Sequence, residues 1–386
     1  MPTDIYGLTE EQADLAALAA DFGREQIAPY ALEWDLKKEF PLDALRRAAE
    51  LGMGGIYVGE DVGGSGLSRL EAALIIEGLA YGCPSVASYI SIHNMVAGMI
   101  DRYGSDEQRR RWLPDLCSMT QLGSYCLTEA EAGSDAAALR TRADRDGDEY
   151  VLNGAKQFIS GSGSSGIYVV MARTSDDGAR GITAIVVEDG TPGLSFGAEE
   201  VKMGWNAQPT REVRFDDVRV PAHHVLGSEG MGFRIAMSGL DGGRVNIAAS
   251  SLGGAQAAYD KALAYVEERN AFGQKVAEFQ ATQFRIADMA TELEAARLLL
   301  HRAARSLDDG DPRATELCAM AKRHVTDSCF GIANDALQLH GGYGYLHEYG
   351  IEKIVRDLRV HQILEGTNEI MRVIISRAQR APKVAS

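Results

Sequence analysis

The pattern of hydrophobic and polar positions divides the chain into three stretches, and the first stretch is helical. Apolar positions in the first third recur with the period of an α-helix. Thr9 with Gln12, and Ser105 with Gln108, have the spacing of a capping box at the start of a helix. These signals predict an all-helical N-terminal domain over residues 1–120.

A run without charged residues, residues 78–100, is long enough to suggest a membrane span. It is interrupted by Pro84, His93, Asn94 and three serines, which a predominantly apolar membrane helix would not contain. We therefore predict a pair of buried helices and no membrane segment.

The middle stretch changes to short apolar runs that are typical of β-strands. The runs "IYVVMART", "ITAIVV" and "EVRFDDVRV" are separated by clusters of Gly and Asp. Asn153 and Gly154 form a dipeptide that favours a tight hairpin turn. The pattern predicts a middle β-barrel domain over residues 121–232.

Helical periodicity returns in the last stretch, where two apolar stripes indicate two long helices. The first stripe consists of Ile286, Ala290, Leu293, Ala296, Leu300, Ala303 and Leu307, and the second of Leu317, Ala321, Val325, Ser328, Ile332, Ala336 and Leu339. In the short loop between them, Asp311 is a candidate cap and Pro312 a candidate first helical residue. Two antiparallel helices with a short connection predict a C-terminal helical bundle domain over residues 233–386.

Composition and charge exclude several classes of function. The 386 residues, 45% of them hydrophobic, allow two or three domains and a buried cofactor. The net charge of -16 argues against a nucleic-acid or anionic-membrane partner, because both need clustered positive charge. The five cysteines include no C-x-x-C pair, so neither a zinc ribbon nor a disulfide framework is predicted. The N-terminal segment has no apolar signal region and no Arg-rich presequence, which predicts a cytoplasmic protein.

Two local patterns suggest ligand sites but lack the context that such sites need. "GSGSSG" fits the spacing G-x-G-x-x-G, yet a strand-like run follows it where a dinucleotide site requires a helix. His223 and His224 have no third ligand at a suitable spacing, and His361 with Glu365 has no matching pair on another helix. We predict neither a Rossmann site nor a metal site.

Three further runs carry candidate chemistry. "YCLTEAEAGSDAAALR" passes from a strand into small polar residues that can present N–H and hydroxyl groups to a ring or phosphate; on its own it is more often an ordinary turn. "LHGGYGY" ends a helix in glycines, for which capping is the plain explanation. In "RVHQILEGTNEIMR" a glutamate, Glu365, follows an apolar pair and precedes a break in the helix.

Together and in this order, these segments resemble the acyl-CoA dehydrogenase family over nearly the whole chain. The resemblance implies an α+β multidomain fold, with an N-terminal helical domain, a middle β domain and a C-terminal four-helix bundle, and FAD bound between them. The runs "DVGGSGLSRL", "SYISIHNM", "GWNAQPTR", "LDGGRVNIA" and "QILEGTNEIMR" are most similar to members that act on isobutyryl-CoA.

The resemblance also implies which residues bind FAD. They are Tyr125, Leu127, Thr128, Gly133, Ser134, Phe158, Ile159, Ser160, Arg269, Phe272, Phe279, Gln280, Gln338, Leu339, His340, Gly341, Gly342, Thr367, Asn368 and Glu369. The residues of "ERNAFG" and "QLHGG" would contact the FAD of a neighbouring subunit, which implies a homotetramer. Judged from the residues alone, Phe158 is a core position and Arg269 a solvated charge at a helix end. The loop reads Ala130-Glu131-Ala132 where relatives usually carry Pro-Gly and a small residue.

In the resemblance, Glu365 is the catalytic base. The α-proton of a thioester is a weak acid, so its removal needs a carboxylate freed from water and an oxyanion stabilised by hydrogen bonds. Gly366 allows a tight turn that leaves the Glu365 N–H free for the substrate carbonyl, and Thr367 and Asn368 supply capping groups for the next helix. The implied substrate-binding residues are Ser134, Asp241, Gly242, Gly243, Arg244 and Arg377.

The reaction implied is the α,β-dehydrogenation of isobutyryl-CoA to methacrylyl-CoA in valine degradation, with electrons passed from FAD to electron-transfer flavoprotein. Butyryl-CoA and 2-methylbutyryl-CoA are alternative substrates. A flavin oxidase or monooxygenase of the same fold is a further alternative, although such relatives usually lack a glutamate at position 365. The third alternative is a non-catalytic acyl-CoA-binding protein.

Overall fold

The computed structural model describes residues 6–380 of the chain. Its N-terminal part is helical, as predicted, with α1 (Glu10–Phe22), α2 (Ala31–Lys37), α3 (Leu42–Glu50), α4 (Arg69–Gly82), α5 (Pro84–Tyr103) and α6 (Asp106–Cys117), and a π-helical turn (Gly23–Ile27) after α1. Both predicted capping boxes are present, at the starts of α1 and α6. A third, Ser68 with Glu71, starts α4.

The run without charged residues forms a buried helix pair, which confirms the prediction. The two helices α4 and α5 meet at Cys83, and Pro84 occupies the first position of α5, where its missing N–H costs no hydrogen bond. Most residues of both helices are buried. Within residues 6–380, no helix is long and apolar enough to cross a membrane.

The middle part is one sheet of seven strands: β1 (Gly123–Cys126), β2 (Arg142–Asp146), β3 (Glu149–Ser160), β4 (Ile167–Arg173), β5 (Ile182–Glu188), β6 (Leu194–Phe196) and β7 (Thr210–Pro221). The three quoted β-type runs become β4, β5 and β7. Strand β4 is parallel to β1 and antiparallel to β5, whereas β3 pairs antiparallel with β2 and β7. One residue pair, Arg142 with Arg173, joins β2 to β4.

Two expectations for this part were wrong. The sheet is not a closed barrel in the described residues, because the three-residue strand β6 pairs only with β7 and leaves an edge. Asn153 and Gly154 do not form the hairpin turn, which lies between Asp146 and Glu149. Gly154 instead has φ +143° at a shift of register within β3, a position that an L-residue rarely adopts.

The C-terminal part is a bundle of long helices, α7 (Gly232–Glu268), α8 (Gln280–Asp308), α9 (Ala314–His340), α10 (Ile351–Arg359) and α11 (Asn368–Arg380), with a short hairpin of β8 (Asn270–Ala271) and β9 (Gln274–Lys275) after α7. Helices α8 and α9 carry the two predicted stripes. Asp311 does not cap α9, because it accepts the Arg313 N–H at 2.7 Å in the loop and the helix begins three residues later.

The predicted fold class is confirmed: helical N- and C-terminal parts flank a central β region. A large apolar cluster joins α4 and α5 to α7, α8 and α9, and a second joins α5 and α6 to one face of the sheet. All five cysteines are buried and free. Helix α7 therefore runs between the N-terminal helices and α9, and the loop before α11 lies against it.

Candidate active site

Glu365 lies in the loop between α10 and α11, in a strained backbone conformation. Its φ is +56° and that of Gly366 is +90°, both in the left-handed region. The loop is short because Thr367 starts α11 by accepting the Ile370 N–H at 3.3 Å. Strain of this kind persists only where the surrounding structure holds it, and it is frequent at functional sites.

Oε2 of Glu365 is buried and has no hydrogen-bond partner within residues 6–380, while the residue as a whole is half-buried. Burial raises the pKa of Glu365 from 4.5 to about 7, although the positive charges of Arg244 and Lys322 oppose this rise. A carboxylate with a pKa near neutrality and a free oxygen can accept a proton at physiological pH. The Glu365 N–H also donates no hydrogen bond within the described chain.

The predicted substrate-side segment of α7 contacts Glu365 directly. A Cβ on Gly243 would lie 2.5 Å from Glu365 Oε2, so the helix is narrow at this position. Arg244 is buried, forms an ion pair with Asp241 at 2.6 Å, and donates from Nε to the Glu365 carbonyl at 3.4 Å. Gly242, in the same segment, faces the guanidinium of Arg69.

Aromatic and amide groups form the surroundings of the base. Burial raises the pKa of Tyr57, and the side chains of Arg69, Asn246 and Glu365 are all close enough to modify it. The Arg69 guanidinium lies over the Tyr57 ring, with its central carbon 3.7 Å from the ring centroid. Burial also raises the pKa of Tyr125, and the charge of Glu365 adds to that rise. The Tyr125 hydroxyl and the Asn246 Oδ1 are buried without partners in residues 6–380, so polar atoms converge on this space.

The predicted flavin loop is held by a buried ion pair. Lys156 is fully buried and its Nζ donates to Glu129 Oε1 at 2.8 Å and to the Leu127 carbonyl at 3.0 Å. Glu129 and Ala132 exchange two backbone hydrogen bonds of 3.1 Å, which close the loop. The unusual Glu131 points outward and pairs with Arg140 at 2.8 Å. The departure from the family pattern is therefore accommodated on the surface of the loop.

The segment Phe158 to Ser160 lies beside this loop. The Gln157 N–H donates to the Thr128 carbonyl at 2.8 Å, which places the two segments side by side. Ile159 is buried, whereas Phe158 has φ +60° and a ring that is 62% exposed. Phe158 is not a core residue, which corrects the interpretation from the residues alone. Gly133 and Ser134 are exposed at the outer end of the loop.

Six of the other predicted FAD residues gather at a second place. A cavity of about 440 Å³ is lined by residues from the ends of α7 and α9, namely Tyr265, Arg269, Val276, Gln338, Leu339, His340, Gly341, Gly342, Tyr343 and Leu346. Phe272 and Phe279 lie in the following hairpin and at the start of α8, where Gln280 is the first residue, and the Phe272 ring is 98% exposed. The structure thus brings together two runs that are far apart in the sequence.

This cavity is far from Glu365. Arg244, which contacts the base, and Arg269, which lines the cavity, lie 25 residues apart on or at the end of α7. At 1.5 Å per residue they are separated by about 38 Å along the helix. The two groups of predicted FAD residues therefore occupy separate regions of a single chain.

Three further predicted site residues lie on α11, after the base. Asn368 does not cap α11; it is buried and donates to Asp327 at 2.7 Å and Thr326 at 3.0 Å, because its side chain points toward α9. Glu369 is exposed and pairs with Arg372 at 3.3 Å. Arg377 is exposed on α11, about 15 Å along the helix from Thr367.

His361, one turn before Glu365, is not available as a metal ligand. Trp205 donates to its Nε2 at 3.2 Å, and the Ser251 hydroxyl lies 2.7 Å from its Nδ1. Burial lowers the pKa of His361 to about 3, so the ring is neutral. Within residues 6–380 no three His, Cys, Asp or Glu side chains are grouped to hold a metal ion.

The residues present fit FAD. The Tyr125 hydroxyl, near Glu365, is buried without a partner in residues 6–380, and the Phe158 ring beside the Thr128 loop is exposed; together they match a planar ring system with a polar edge. At the second cavity, an added Cβ on Gly341 or Gly342 would meet nothing within 4 Å, so the backbone there is accessible to a large ligand. The donors at the second cavity include Arg269 and His340, and at both places hydroxyl, amide and nitrogen donors outnumber carboxylates, which suits a flavin nucleotide and not a metal ion.

Comparison with known proteins identifies the class that this fold and site define. Three family models match in order: acyl-CoA dehydrogenase, N-terminal domain, over residues 9–120; the middle domain over residues 124–218; and the C-terminal domain over residues 230–379. The chain belongs to the acyl-CoA dehydrogenase family. It is an FAD-dependent oxidoreductase that acts on the CH–CH bond of acyl-CoA.

Individual relatives are more specific. The chain is 54% identical over 378 residues to the mitochondrial isobutyryl-CoA dehydrogenase of Dictyostelium discoideum, covering 98% of this chain and 91% of that protein. The butyryl-CoA dehydrogenase structure from Megasphaera elsdenii has a TM-score of 0.93 at 40% identity, covering 96% and 98% of the two chains. A chain from a structure of the electron transferring flavoprotein of Acidaminococcus fermentans has a TM-score of 0.95 at 40% identity, covering 97% and 99%.

Sequence reasoning missed several residues around the base. Lys322 and Tyr57 lie near Glu365 and belong to no run that was singled out, whereas Arg69 and Asn246 lie in runs that carry the resemblance but were given no role. Lys322 directly follows Ala321 in the apolar stripe of α9, and a charge at the border of a stripe is normally solvent-exposed. The one signal in the sequence that could have identified Lys322 is a charged residue directly beside an apolar position of the helix.

Proposed function

We propose that this protein catalyses the dehydrogenation of isobutyryl-CoA to methacrylyl-CoA in valine degradation, with Glu365 as the catalytic base. The observation that carries the proposal is the buried Glu365 carboxylate, which has a free Oε2 and a pKa of about 7. Bound FAD supplies the hydride acceptor, which no amino-acid side chain provides.

Each residue around the base has a separate role in the proposed reaction. Oε2 of Glu365 accepts the proton from Cα of the thioester. The free Glu365 N–H donates to the thioester carbonyl, whose oxygen gains negative charge as the proton leaves. Gly243 leaves room beside the carboxylate, and Arg244 holds the carbonyl of the same residue in place. Burial of the site excludes water, which would otherwise stabilise the carboxylate and weaken it as a base.

Two observations favour a short branched acyl group. The identity of 54% to an isobutyryl-CoA dehydrogenase extends over nearly the entire chain. In the structure, the ring of Tyr57 occupies space near the base: a Cβ added to Gly98 of α5 would lie 2.5 Å from Tyr57 Cε2. A bulky ring held between α5 and Arg69 limits the length available to a straight chain.

Butyryl-CoA is the second candidate substrate, because the structural similarity to a butyryl-CoA dehydrogenase is also high. It requires a longer and narrower cavity than isobutyryl-CoA, whose α-carbon is branched. 2-Methylbutyryl-CoA would need both the branch and the additional length. An oxidase or monooxygenase reaction is disfavoured by the free carboxylate of Glu365.

The second cavity supports the proposal of a homotetramer. Because Arg269 and the residues Gln338 to Gly342 lie at the other end of α7 from the base, we assign them to the FAD of a neighbouring subunit. The exposed Phe272 ring would be covered in that assembly. Electron-transfer flavoprotein is the proposed acceptor of the electrons, in line with the structural relative that concerns such a protein. A cytoplasmic location stays a prediction, and the Dictyostelium relative is described as mitochondrial.

Anaerobic titration of the purified protein with isobutyryl-, butyryl-, 2-methylbutyryl- and octanoyl-CoA tests the reaction, with flavin bleaching as the signal, and steady-state assays of the same four thioesters with an artificial electron acceptor give kcat/KM. One methyl or methylene group changes binding to an apolar pocket by about 1–3 kcal/mol. We therefore expect kcat/KM for isobutyryl-CoA to exceed that for the two other short substrates about tenfold, and octanoyl-CoA to be essentially inactive. Higher activity with butyryl-CoA would refute the substrate assignment and leave the reaction class intact.

The Glu365→Gln variant tests the base in the same assay. The amide is nearly isosteric with the carboxylate, so FAD and acyl-CoA should still bind, but bleaching should be largely lost. Bleaching at a rate near that of the wild-type protein would refute the role of Glu365.

A further inference from the structure

Lys322 is a buried lysine whose ammonium contacts the backbone that carries Glu365. It lies in α9 and its side chain is fully buried. Its Nζ donates to the Gly366 carbonyl at 2.7 Å and to Asn368 Oδ1 at 2.8 Å. These contacts span the residue after the base and the first residue of α11. Lys322 therefore holds the loop on the C-terminal side of Glu365 through two hydrogen bonds.

Residues one turn further along α9 stabilise the contact between Lys322 and Asn368. Thr326 donates its hydroxyl proton to the Lys322 carbonyl at 2.8 Å, and Asn368 Nδ2 donates to Thr326 Oγ1 at 3.0 Å and to Asp327 Oδ1 at 2.7 Å. The Asn368 side chain is thus held on both sides, as acceptor from Lys322 and as donor to the next turn. A closed network of this kind leaves the start of α11 little freedom.

The two cations that oppose the rise in the pKa of Glu365, Arg244 and Lys322, are not equivalent. Arg244 is neutralised by its ion pair with Asp241 at 2.6 Å. Lys322 has no ion-pair partner within residues 6–380, because both of its hydrogen bonds go to neutral oxygens. Of these two, Lys322 is therefore the cation whose positive charge no ion pair within the described residues compensates.

Lys322 and Glu365 affect each other's pKa, together with the other titratable groups around them. Burial lowers the pKa of Lys322 to about 8, and of the charges that face it Glu365, Asp327 and Glu369 oppose this effect while Arg244 adds to it. Burial raises the pKa of Glu365, and Arg244 and Lys322 oppose that rise; Tyr57 and Tyr125 also face Glu365. The ammonium and the carboxylate hence favour each other's charged forms.

We propose that Lys322 is a positioning residue for proton abstraction: through Gly366 and Asn368 it holds the loop of Glu365, and its charge keeps the Glu365 carboxylate ionised. The inference rests on the proposed role of Glu365 as base. Burying an ammonium is costly unless it is hydrogen-bonded, and both oxygens that accept from Lys322 belong to the segment that follows Glu365. Without it, Glu365 would bind a proton more tightly and be less available as a base at neutral pH.

The experiment measures the pH dependence of kcat/KM for isobutyryl-CoA in the wild-type protein and in Lys322→Gln. Glutamine keeps a donor for the Gly366 carbonyl but removes the charge. An opposite charge nearby typically shifts a carboxyl pKa by 1–3 units, so we expect the acidic limb of the profile to move up by about one pH unit. Activity near pH 7 should fall about fivefold and recover at higher pH.

A second pair of variants separates charge from packing. Lys322→Arg keeps the charge and should leave the acidic limb near its wild-type position, even if its larger head lowers kcat. Thr326→Val breaks the neighbouring network without changing charge and should lower kcat without moving the limb. If Lys322→Gln does not yield folded, yellow protein, Lys322→Met at the same position is measured instead, and its limb must move upward as well.

The outcomes distinguish this inference from the proposed function. An unshifted acidic limb in the folded neutral variants, or an equal shift in Thr326→Val, would overturn the role of Lys322. If Glu365→Gln has already lost flavin bleaching, that result leaves Glu365 as the base. If Glu365→Gln bleaches normally, the proposed base is wrong, and the inference about Lys322 is lost with it.

Discussion

Gly243 and Glu365 are in such close contact that a Cβ at position 243 would lie 2.5 Å from Oε2 and 2.9 Å from the carboxyl carbon. Real Cβ atoms do not approach other heavy atoms this closely, so a side chain and the present carboxylate cannot both occupy this space. The absence of a side chain in the middle of α7 thus determines where the base lies. This is notable because glycine inside a helix destabilises it by roughly 1 kcal/mol relative to alanine.

Gly243→Ala should therefore displace the carboxylate and lower kcat/KM about 100-fold, since a misplacement of about 1 Å can cost that much. FAD binding should be retained. Gly331→Ala, in α9, is the matched control, because an added Cβ there meets nothing within 4 Å. Steady-state assays of the two variants decide the matter, and equal activities would contradict a role for the contact.

The pH dependence of the wild-type reaction should reveal the raised pKa of Glu365. Only the carboxylate form accepts a proton, so kcat/KM should rise with pH through an apparent pKa of about 7. An ordinary exposed glutamate would give a midpoint near 4.5. A pH profile of kcat/KM for isobutyryl-CoA that spans both pKa values distinguishes the two cases. A midpoint near 4.5 would show that the surroundings of Glu365 are more polar than the structure indicates.

Glu365→Gln should also change how stability depends on pH. In the wild-type protein the folded state binds the proton of Glu365 more tightly than the unfolded state, with a pKa of about 7 against 4.5. The free energy of unfolding therefore falls as pH rises from about 4.5 to about 7, and the full cost of the buried charge is present above pH 7. Glutamine carries no such cost.

Thermal unfolding should consequently show a higher Tm for Glu365→Gln than for the wild-type protein above pH 7, and little difference below pH 4.5. Glu369→Gln is a suitable control because Glu369 is exposed, and it should not reproduce this dependence on pH. A difference in Tm that is the same at both pH values would contradict the explanation.

Tyr57→Ala should enlarge the space near the base and relax the preference for short acyl groups. We expect the ratio of kcat/KM for hexanoyl-CoA to that for isobutyryl-CoA to increase about tenfold, the scale expected for a few methylene groups in an apolar pocket. Tyr57→Phe keeps the ring under the Arg69 guanidinium and should keep the wild-type ratio. If both variants retained the wild-type preference, Tyr57 would not limit the chain length.

Arg269→Ala should weaken FAD retention and subunit association together, because Arg269 lines the second cavity and lies over the Tyr343 ring, 5.7 Å from its centroid. Gel filtration combined with flavin absorbance measures both properties. Arg110→Ala, which removes an exposed arginine of α6, is the control for loss of a surface charge. An intact oligomer with a full complement of FAD would argue against the shared site.

Much of the architecture follows from local patterns in the sequence. The three stretches, the capping boxes of α1 and α6, the paired helices α4 and α5, and the stripes of α8 and α9 depend on residues within a few positions of each other. The errors arose where a local signal had another use. The dipeptide Asn153-Gly154 marks an irregularity inside β3 and not a turn, since the unusual φ of glycine serves both purposes.

The environment of the base was decided only by the tertiary structure. The resemblance to a family singled out Glu365, but the sequence does not contain the contact with Gly243, the free Oε2 or the buried Lys322. These features arise where α7, α9 and the loop before α11 pack together, and each residue involved is ordinary in its own segment. Local periodicity determines which face of a helix is buried. Contacts between segments that are distant in the sequence determine which charged groups are buried together. They therefore also determine how far the pKa values of these groups shift.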